Sequence, residues 1–340
     1  MRTSLAILAL AVLLGGPAPV FAQHGQDVPP RGQMTDPNQR NPTADLVTEE
    51  ELLRQHHKLQ GRVTIPDYKA ATLEQPQGRS YQLFHERLLP WIAGVVIILM
   101  LVALAAFYWM RGPIRLGKPP SGIKVKRFDW LERLTHWMTA TSFIILALTG
   151  LNYFFGKRLL LPLIGPYAFG TWSQWAKFAH DTFAWPFILG LLLMITLWAR
   201  DNLPDRYDWI WLKQFGGFTS GTHPPARRFN AGQKLVFWAV VAFGLALAVT
   251  GVLMLFPIWA LDVNGIQWAQ YVHDFSATLL IAVIIAHIYI GTVGMEGAFE
   301  AMRTGEVDLT WAREHHPIWV EEDHLDPGRP ARGLTSVPAE

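Results

Sequence analysis

The fold prediction starts from residues 268–294, WAQYVHDFSATLLIAVIIAHIYIGTVG. This stretch is long and apolar enough to cross a bilayer as one helix. It carries two histidines, His273 and His287, at positions fourteen residues apart. A helix would separate them by about 21 Å along its axis and by about 40° in direction. One histidine should therefore lie near each membrane surface, both on one helical face.

Four more apolar stretches are long enough to span a membrane. Together with the first, the predicted spans are 88–110, 130–153, 177–199, 234–257 and 268–294. Charged residues make up 16% of the 340 residues, whereas soluble domains carry about 25%. The composition favours an all-α integral membrane protein, and the net charge of +2 gives no sign of nucleic-acid binding. Cysteine is absent, which excludes disulfides, thiolate iron–sulfur clusters and covalent haem attachment.

The flanking segments predict the topology. Residues 1–22 are typical of a signal peptide, with Arg2 before an apolar core and Val20-Phe21-Ala22 as cleavage site, although an uncleaved anchor is the alternative. The positive-inside rule places the Lys- and Arg-rich loops inside. The prediction is a periplasmic segment 23–87, a first transmembrane helix 88–110, a cytoplasmic linker 111–128, a four-helix domain 129–300 and a cytoplasmic tail 301–340. The mature N-terminus is then periplasmic and the C-terminus cytoplasmic, in a bacterial inner membrane.

The last four spans contain a weak duplication. Residues 133–137 align with 234–238, the Thr-Gly pair at 149–150 with that at 250–251, and residues 178–181 with 271–274. Both halves start from the same side, so the repeat is parallel. Spans two and three should therefore resemble spans four and five.

Twelve histidines occur in the chain. Eight fall in predicted soluble regions and are interpreted as ordinary surface residues: His24, His56, His57, His85, His223, His315, His316 and His324. For His315 and His316 the alternative is packing against the cytoplasmic face together with Trp311. The other four sort by depth into two pairs. His180 and His273 are predicted near the periplasmic surface, and His136 and His287 near the cytoplasmic surface.

Such pairs predict two bis-histidine haems, the geometry of low-spin electron transfer. A zinc or di-iron site fits less well, because the spans hold no Glu-x-x-His motif. Arg133, one turn before His136, could bind a haem propionate or could snorkel to lipid phosphate. A haem-free membrane anchor or transporter with structural histidines is the alternative from another class.

Several motifs resemble the cytochrome b (gamma) subunit of respiratory formate dehydrogenase. They are RFDWLERLTHW at 127–137, LALTGL at 146–151, His-Asp at 180–181, RFNAGQK at 228–234 and the spacing of His273 and His287. The segment 61–82, GRVTIPDYKAATLEQPQGRSYQ, resembles the long form with a signal peptide and an extra N-terminal span. The four-histidine pattern is shared with cytochrome b subunits of nickel–iron hydrogenases and thiosulfate reductases, which remain alternatives.

The resemblance implies a four-helix dihaem cytochrome b bundle plus one additional N-terminal transmembrane helix. It implies two haem b groups, a molybdenum- or tungsten-containing catalytic alpha subunit that oxidises formate, and an iron–sulfur beta subunit. Electrons would cross to quinone at the cytoplasmic face, so the chain would be the quinone-reducing subunit of an enzyme complex. Asn230, Gly232 and Gln233 would contribute to the quinone site, although Asn230 could equally cap the fourth span.

Overall fold

The computed structural model describes residues 81–217, 224–257 and 261–325. The predicted signal peptide and most of the predicted periplasmic segment lie outside these residues. Within them, five helices are long and apolar enough to cross a membrane: Tyr81–Arg111, Trp130–Leu159, Leu161–Trp198, Ala231–Leu255 and Val263–Gly294. The predicted all-α integral membrane class is confirmed.

Most of the described residues are helical, and two short strands are also present. In chain order the elements are α1 (Leu89–Arg111), β1 (Lys124–Lys126), α2 (Trp130–Leu159), α3 (Leu161–Trp198), α4 (Arg206–Lys213), α5 (Ala231–Leu255), α6 (Val263–Tyr289), α7 (Ala298–Arg303), β2 (Glu306–Asp308), α8 (Leu309–His315) and α9 (Pro317–Glu322). Turns of π-helix, Phe84–Leu88 and Ile290–Gly294, adjoin α1 and α6, and a 3-10 turn, Phe215–Gly217, follows α4.

The chain divides into two compact units, Met1–Leu89 and Pro90–Glu340. In the first unit the described residues are helical, and the rings of Tyr81 and His85 stack with centres 5.3 Å apart. The second unit contains the helical bundle.

Two helical hairpins form that bundle, α2 with α3 and α5 with α6, and α3 packs against α5. This pairing matches the two halves of the sequence repeat. Buried apolar side chains fill the centre, among them Phe143, Phe187, Leu191, Phe237, Val241 and Leu280. A Cβ on Gly190 of α3 would lie 2.2 Å from Thr139 Oγ1 of α2. Glycine at this position therefore allows the two helices of the first hairpin to approach closely.

Helix α3 is longer than the predicted span 177–199, because it begins at Leu161. Gly165, with φ of 79°, interrupts its first turns. The segment before residue 177 is rich in aromatic, glycine and proline residues, and Tyr167 and Trp175 are exposed. Hydropathy detects only the apolar part of a helix, so the interfacial part was not predicted.

One end of the bundle, which we call the capped end, carries the linker 112–129, the described parts of the connection 199–230, and residues 295–325. There β1 pairs antiparallel with β2, with Val125 opposite Val307. The backbone N–H groups of Arg127 and Phe128 both donate to the carbonyl of Gly305. The opposite end, which we call the short-loop end, contains the junction of α2 and α3 at Leu160 and the described residues between α5 and α6.

Arg127 is the centre of the capped end, where 3% of its surface is exposed. Its guanidinium lies 5.4, 5.1 and 4.9 Å from the ring centres of Phe128, Trp311 and Trp319. It donates to the carbonyl of Arg228 at 2.7 Å and to Nε2 of His316 at 3.1 Å. Burial lowers the pKa of Arg127 to about 9, so the group stays charged at neutral pH.

The prediction that His315 and His316 are ordinary surface residues is wrong. Their exposed fractions are 8% and 1%. His316 lies between Trp311 and Trp319 and its Nδ1 donates to the carbonyl of Arg227 at 2.7 Å. The tail beyond α6 therefore folds onto the bundle, and its histidines become part of a small core.

Candidate functional site

His180 of α3 and His273 of α6 face each other toward the short-loop end. Their ring centres are 6.2 Å apart and the ring planes are inclined at 55°. Metal–imidazole bonds of about 2.0 Å put two trans nitrogens about 4 Å apart, and the ring centres about 6 Å apart. The observed separation therefore fits a bis-histidine iron.

His136 of α2 and His287 of α6 form the second pair, toward the capped end. Their ring centres are 6.1 Å apart at an inclination of 58°. This pair has the same spacing as the first, so it also fits an iron between the rings. His287 remains exposed on the bundle surface, and His136 is half-buried.

The two pairs are held at a fixed separation by α6, which supplies one histidine to each. Fourteen residues of helix between His273 and His287 correspond to about 21 Å. The structure thus brings together each of the predicted pairs and keeps the pairs apart. Among the described residues, no three His, Asp or Glu side chains meet as a metal-ion site.

Threonine hydroxyls contact both histidines of the pair near the short-loop end. Thr149 Oγ1 lies 2.8 Å from His180 Nδ1, and Thr250 Oγ1 lies 3.0 Å from His273 Nδ1. The glycine after each threonine lies against the same ring: a Cβ on Gly150 or Gly251 would be 3.6 or 3.5 Å from the Cε1 atom of that histidine. Each histidine of this pair therefore has an equivalent Thr-Gly neighbour, as the sequence repeat predicts.

The pair at the capped end lacks this arrangement. The repeat equivalent of His136 is Phe237, which is buried in the core. Nδ1 of His136 is buried and has no hydrogen-bond partner within the described part of the chain. The two pairs therefore share a spacing but differ in what contacts the imidazoles.

A family model, prokaryotic cytochrome b561, matches residues 127–305. That range contains all four paired histidines and covers more than half of the chain. The chain belongs to the prokaryotic cytochrome b561 family. Membership implies haem b, and the spacing of the histidine rings fits such a group.

Curated relatives of this cytochrome b561 protein include three bacterial subunits. The cytochrome b556(fdo) subunit of formate dehydrogenase from Escherichia coli K12 is 32% identical over 202 residues, 58% of this chain and 92% of the relative. The nitrate-inducible cytochrome b556(Fdn) subunit of the same strain is 29% identical over 203 residues, 58% and 91% of the two chains. The Haemophilus influenzae cytochrome b556 subunit is 28% identical over 198 residues, 57% and 81%. The predicted resemblance is confirmed.

The three residues predicted to contact quinone lie at the start of α5 in this b561 bundle. Asn230 is its N-cap: Oδ1 accepts from Gln233 N at 2.9 Å, and Gln233 Oε1 accepts from Asn230 N at 3.0 Å. Gly232 faces Trp211, since a Cβ there would be 2.8 Å from Cη2 of that indole. The capping role is thus present, and the quinone role stays a prediction.

Arg133 of the b561 bundle lies one turn before His136 and contacts α7. Its guanidinium donates to the carbonyls of Met302 at 3.2 Å and Arg303 at 2.7 Å. These are the last carbonyls of α7, which have no partner inside that helix. Contact with a haem propionate stays a prediction, and it would have to share the side chain with this C-terminal capping role.

Sequence reasoning did not identify Glu132, one turn before His136. This residue is 7% exposed, and its carboxylate accepts from Trp198 Nε1 and from Arg228, each at 2.7 Å. Arg228 also pairs with Asp201 at 2.6 Å. These groups border a cavity of about 690 Å³ at the capped end, lined by charged side chains that include Lys126, Asp129, Arg200, Asp205 and Arg227. Glu132 and Arg133 are charged residues at the start of an apolar span, and this pattern was the signal from which Glu132 could have been identified.

Proposed function

We propose that the chain holds two haem b groups and passes electrons from a periplasmic formate-oxidising complex to quinone at the cytoplasmic face. The observation that carries this proposal is the presence of two histidine pairs at two levels of α6, fourteen residues apart. Both have the ring spacing of a bis-histidine iron. Haem iron supplies a one-electron ferric–ferrous couple when it is bound between such rings.

The formate-oxidising partner is supported by the relatives, whose names describe subunits of formate dehydrogenase. The partners would be a molybdenum- or tungsten-containing alpha subunit and an iron–sulfur beta subunit. Both would lie on the side of His180 and His273, which receive the electrons first. With no cysteine of its own, the chain depends on a partner for thiolate-ligated clusters.

Quinone reduction is assigned to the capped end. The His136–His287 pair, the Asn230 cap and the charged cavity all belong to this end. Amide groups at a helix start can hydrogen-bond a quinone carbonyl, and a polar, open cavity supports proton uptake from water on this side. The linker and the 199–230 connection are rich in Lys and Arg, which supports a cytoplasmic position.

Haem stoichiometry tests the paired assignment. Detergent-purified wild type should give two b haems per chain by pyridine haemochrome assay. His180→Ala and His273→Ala should each lose the same haem, and His136→Ala and His287→Ala the other, judged by the reduced-minus-oxidised spectrum and its potentiometric wave. His324→Ala, at an exposed position of the tail, is the control and should keep both haems.

A folded wild type without haem would overturn the proposal, as would loss of both haems in every single variant with retained folding. The partner is tested separately. Formate-dependent reduction of a water-soluble quinone by membranes should require this chain. If the chain is instead required for membrane activity with hydrogen or thiosulfate, the partner is a hydrogenase or a thiosulfate reductase.

A further inference from the structure

The hydroxyls of Thr149 and Thr250 have only one proton each to donate. Thr149 Oγ1 lies 2.7 Å from the carbonyl of Ile145, and Thr250 Oγ1 lies 2.6 Å from that of Ala246. A carbonyl oxygen can only accept, so each hydroxyl proton points back along its own helix. The hydroxyl oxygen then has to accept from the histidine ring.

This direction of donation fixes the tautomer of both rings. Nδ1 of His180 and Nδ1 of His273 carry a proton that faces the hydroxyl of Thr149 or Thr250. The backbone carbonyl of Leu146 or Leu247 is a second acceptor beside each ring, and it requires the same tautomer. Nε2 of each ring is left with a free lone pair, which is the form that ligates iron. Both rings are also fixed in orientation, because each threonine is itself anchored to the backbone.

Donation from Nδ1 has an electronic consequence for a bound iron. A hydrogen bond from the distal ring nitrogen makes the ligating nitrogen more basic. A more basic ligand stabilises the ferric form over the ferrous form and lowers the reduction potential. The hydroxyl is a better acceptor because it is polarised by its own bond to the carbonyl.

The pair at the capped end does not receive this contribution at His136, whose Nδ1 is buried without a hydrogen-bond partner among the described residues. We infer that Thr149 and Thr250 are positioning residues that lower the potential of the haem between His180 and His273 relative to the haem between His136 and His287. The inference rests on the proposed function for the presence of the haems. The lower potential of the haem between His180 and His273 adds a driving force for electron transfer toward the capped end, since an electron moves to the site of higher potential.

The test is a potentiometric titration of the purified full-length protein, followed at the haem absorption bands. The wave that His180→Ala removes identifies the haem in question. Thr149→Val and Thr250→Val remove one hydroxyl each at nearly constant volume. Each should raise the midpoint of that wave, the double variant should raise it further, and the other wave should stay in place.

Two controls separate hydrogen bonding from packing. Thr149→Ser with Thr250→Ser keeps both hydroxyls and should restore the wild-type midpoint. Thr278→Val removes a buried hydroxyl of α6 that donates to the carbonyl of Asp274 at 2.8 Å, and it should leave both waves unmoved.

An unmoved wave in the valine variants would overturn the inference, and so would an equal shift of both waves. If the double valine variant loses haem, the single variants decide, because each retains one threonine. Absence of haem from the wild type would instead overturn the proposed function, so the two failures are distinguishable.

Discussion

His316 has two ring nitrogens with different roles. Nε2 accepts from the guanidinium of Arg127, because arginine has no acceptor, and Nδ1 donates to the carbonyl of Arg227. The ring is therefore neutral in the folded tail. Burial, and then the positive charge of Arg127, lower the pKa of His316 well below 6.5.

This lowered pKa predicts that the folded tail loses stability in acid. The unfolded tail binds a proton near pH 6.5 whereas the folded tail does not, so stability is complete above about pH 6.5 and decreases below it. The slope is at most about 1.4 kcal/mol per pH unit. Comparing thermal midpoints of wild type and His316→Gln from pH 8 to pH 5 measures it, since glutamine can make both hydrogen bonds without titrating.

The difference in midpoint between the two proteins should be constant above pH 7 and should shift in favour of His316→Gln at lower pH. The neighbouring Arg127 and His315, which also face the ring, are common to both proteins and cancel in the difference. His324→Gln, at an exposed position, should follow the wild type. Parallel curves for wild type and His316→Gln would show that protonation of this ring is not linked to folding.

Sequence reasoning singled out the four paired histidines as proposed ligands but not this one, for a physical reason. A histidine inside an apolar span is costly unless it has a function, so the span itself marks it. His316 lies in a polar tail, and its burial depends on Arg127, almost two hundred positions earlier in the chain. A local pattern carries no trace of such a contact.

At the scale of helices, Gly190 decides how closely α2 and α3 approach. An added Cβ would lie 2.2 Å from Oγ1 and 3.2 Å from Cβ of Thr139, whose β-branched side chain cannot move away freely. Gly190→Ala should therefore lower stability by about 1–3 kcal/mol through overpacking. The thermal midpoint of the detergent-purified protein measures this.

Gly170→Ala is the matched control on the same helix, because its Cβ would meet nothing within 4 Å. It should be neutral or stabilise by up to about 1 kcal/mol through helix propensity. Adding Thr139→Ala to Gly190→Ala should recover most of the loss. Equal midpoints for the two alanine variants would show that α2 and α3 are not held by this contact.

The elements were predicted unevenly, and apolarity explains the difference. All five spans and both helical hairpins follow from runs of apolar residues and from the repeat at Thr149-Gly150 and Thr250-Gly251. The start of α3 at Leu161 and the pairing of Lys124–Lys126 with Glu306–Asp308 were not predicted. A strand of three residues is too short to show the alternation of apolar and polar residues from which strands are predicted. Its register is set by contacts between residues distant in sequence.

Over the whole molecule, the sequence repeat relates the two histidines of one pair to each other, but it does not relate the two histidines of the other pair. His180 and His273 occupy equivalent positions, each with its own threonine, whereas His136 is opposite Phe237 in the repeat. Under the proposed function, the symmetric pair would hold one haem with similar surroundings on both sides. The asymmetric pair would hold the second haem, at the end that carries the tail, the linker and the charged cavity.

The direction of electron flow depends on which side of the membrane the capped end faces. Lys and Arg residues of the linker predict the cytoplasm. The chain has no cysteine, so a single introduced cysteine reports on which side of the membrane it lies, without labelling of any other residue of the chain. Lys118→Cys, exposed in the linker, and Val263→Cys, 55% exposed at the short-loop end, should label from opposite sides.

In intact spheroplasts a membrane-impermeant maleimide should modify Val263→Cys at once and Lys118→Cys only after lysis. Electrons entering between His180 and His273 would then move inward, and quinone would take its protons from the cytoplasm, which separates charge without a proton channel. The reverse labelling would place quinone reduction outside. Electrons would then cross from the cytoplasm outward and quinone would take its protons from outside, so the charge separation would have the opposite sign.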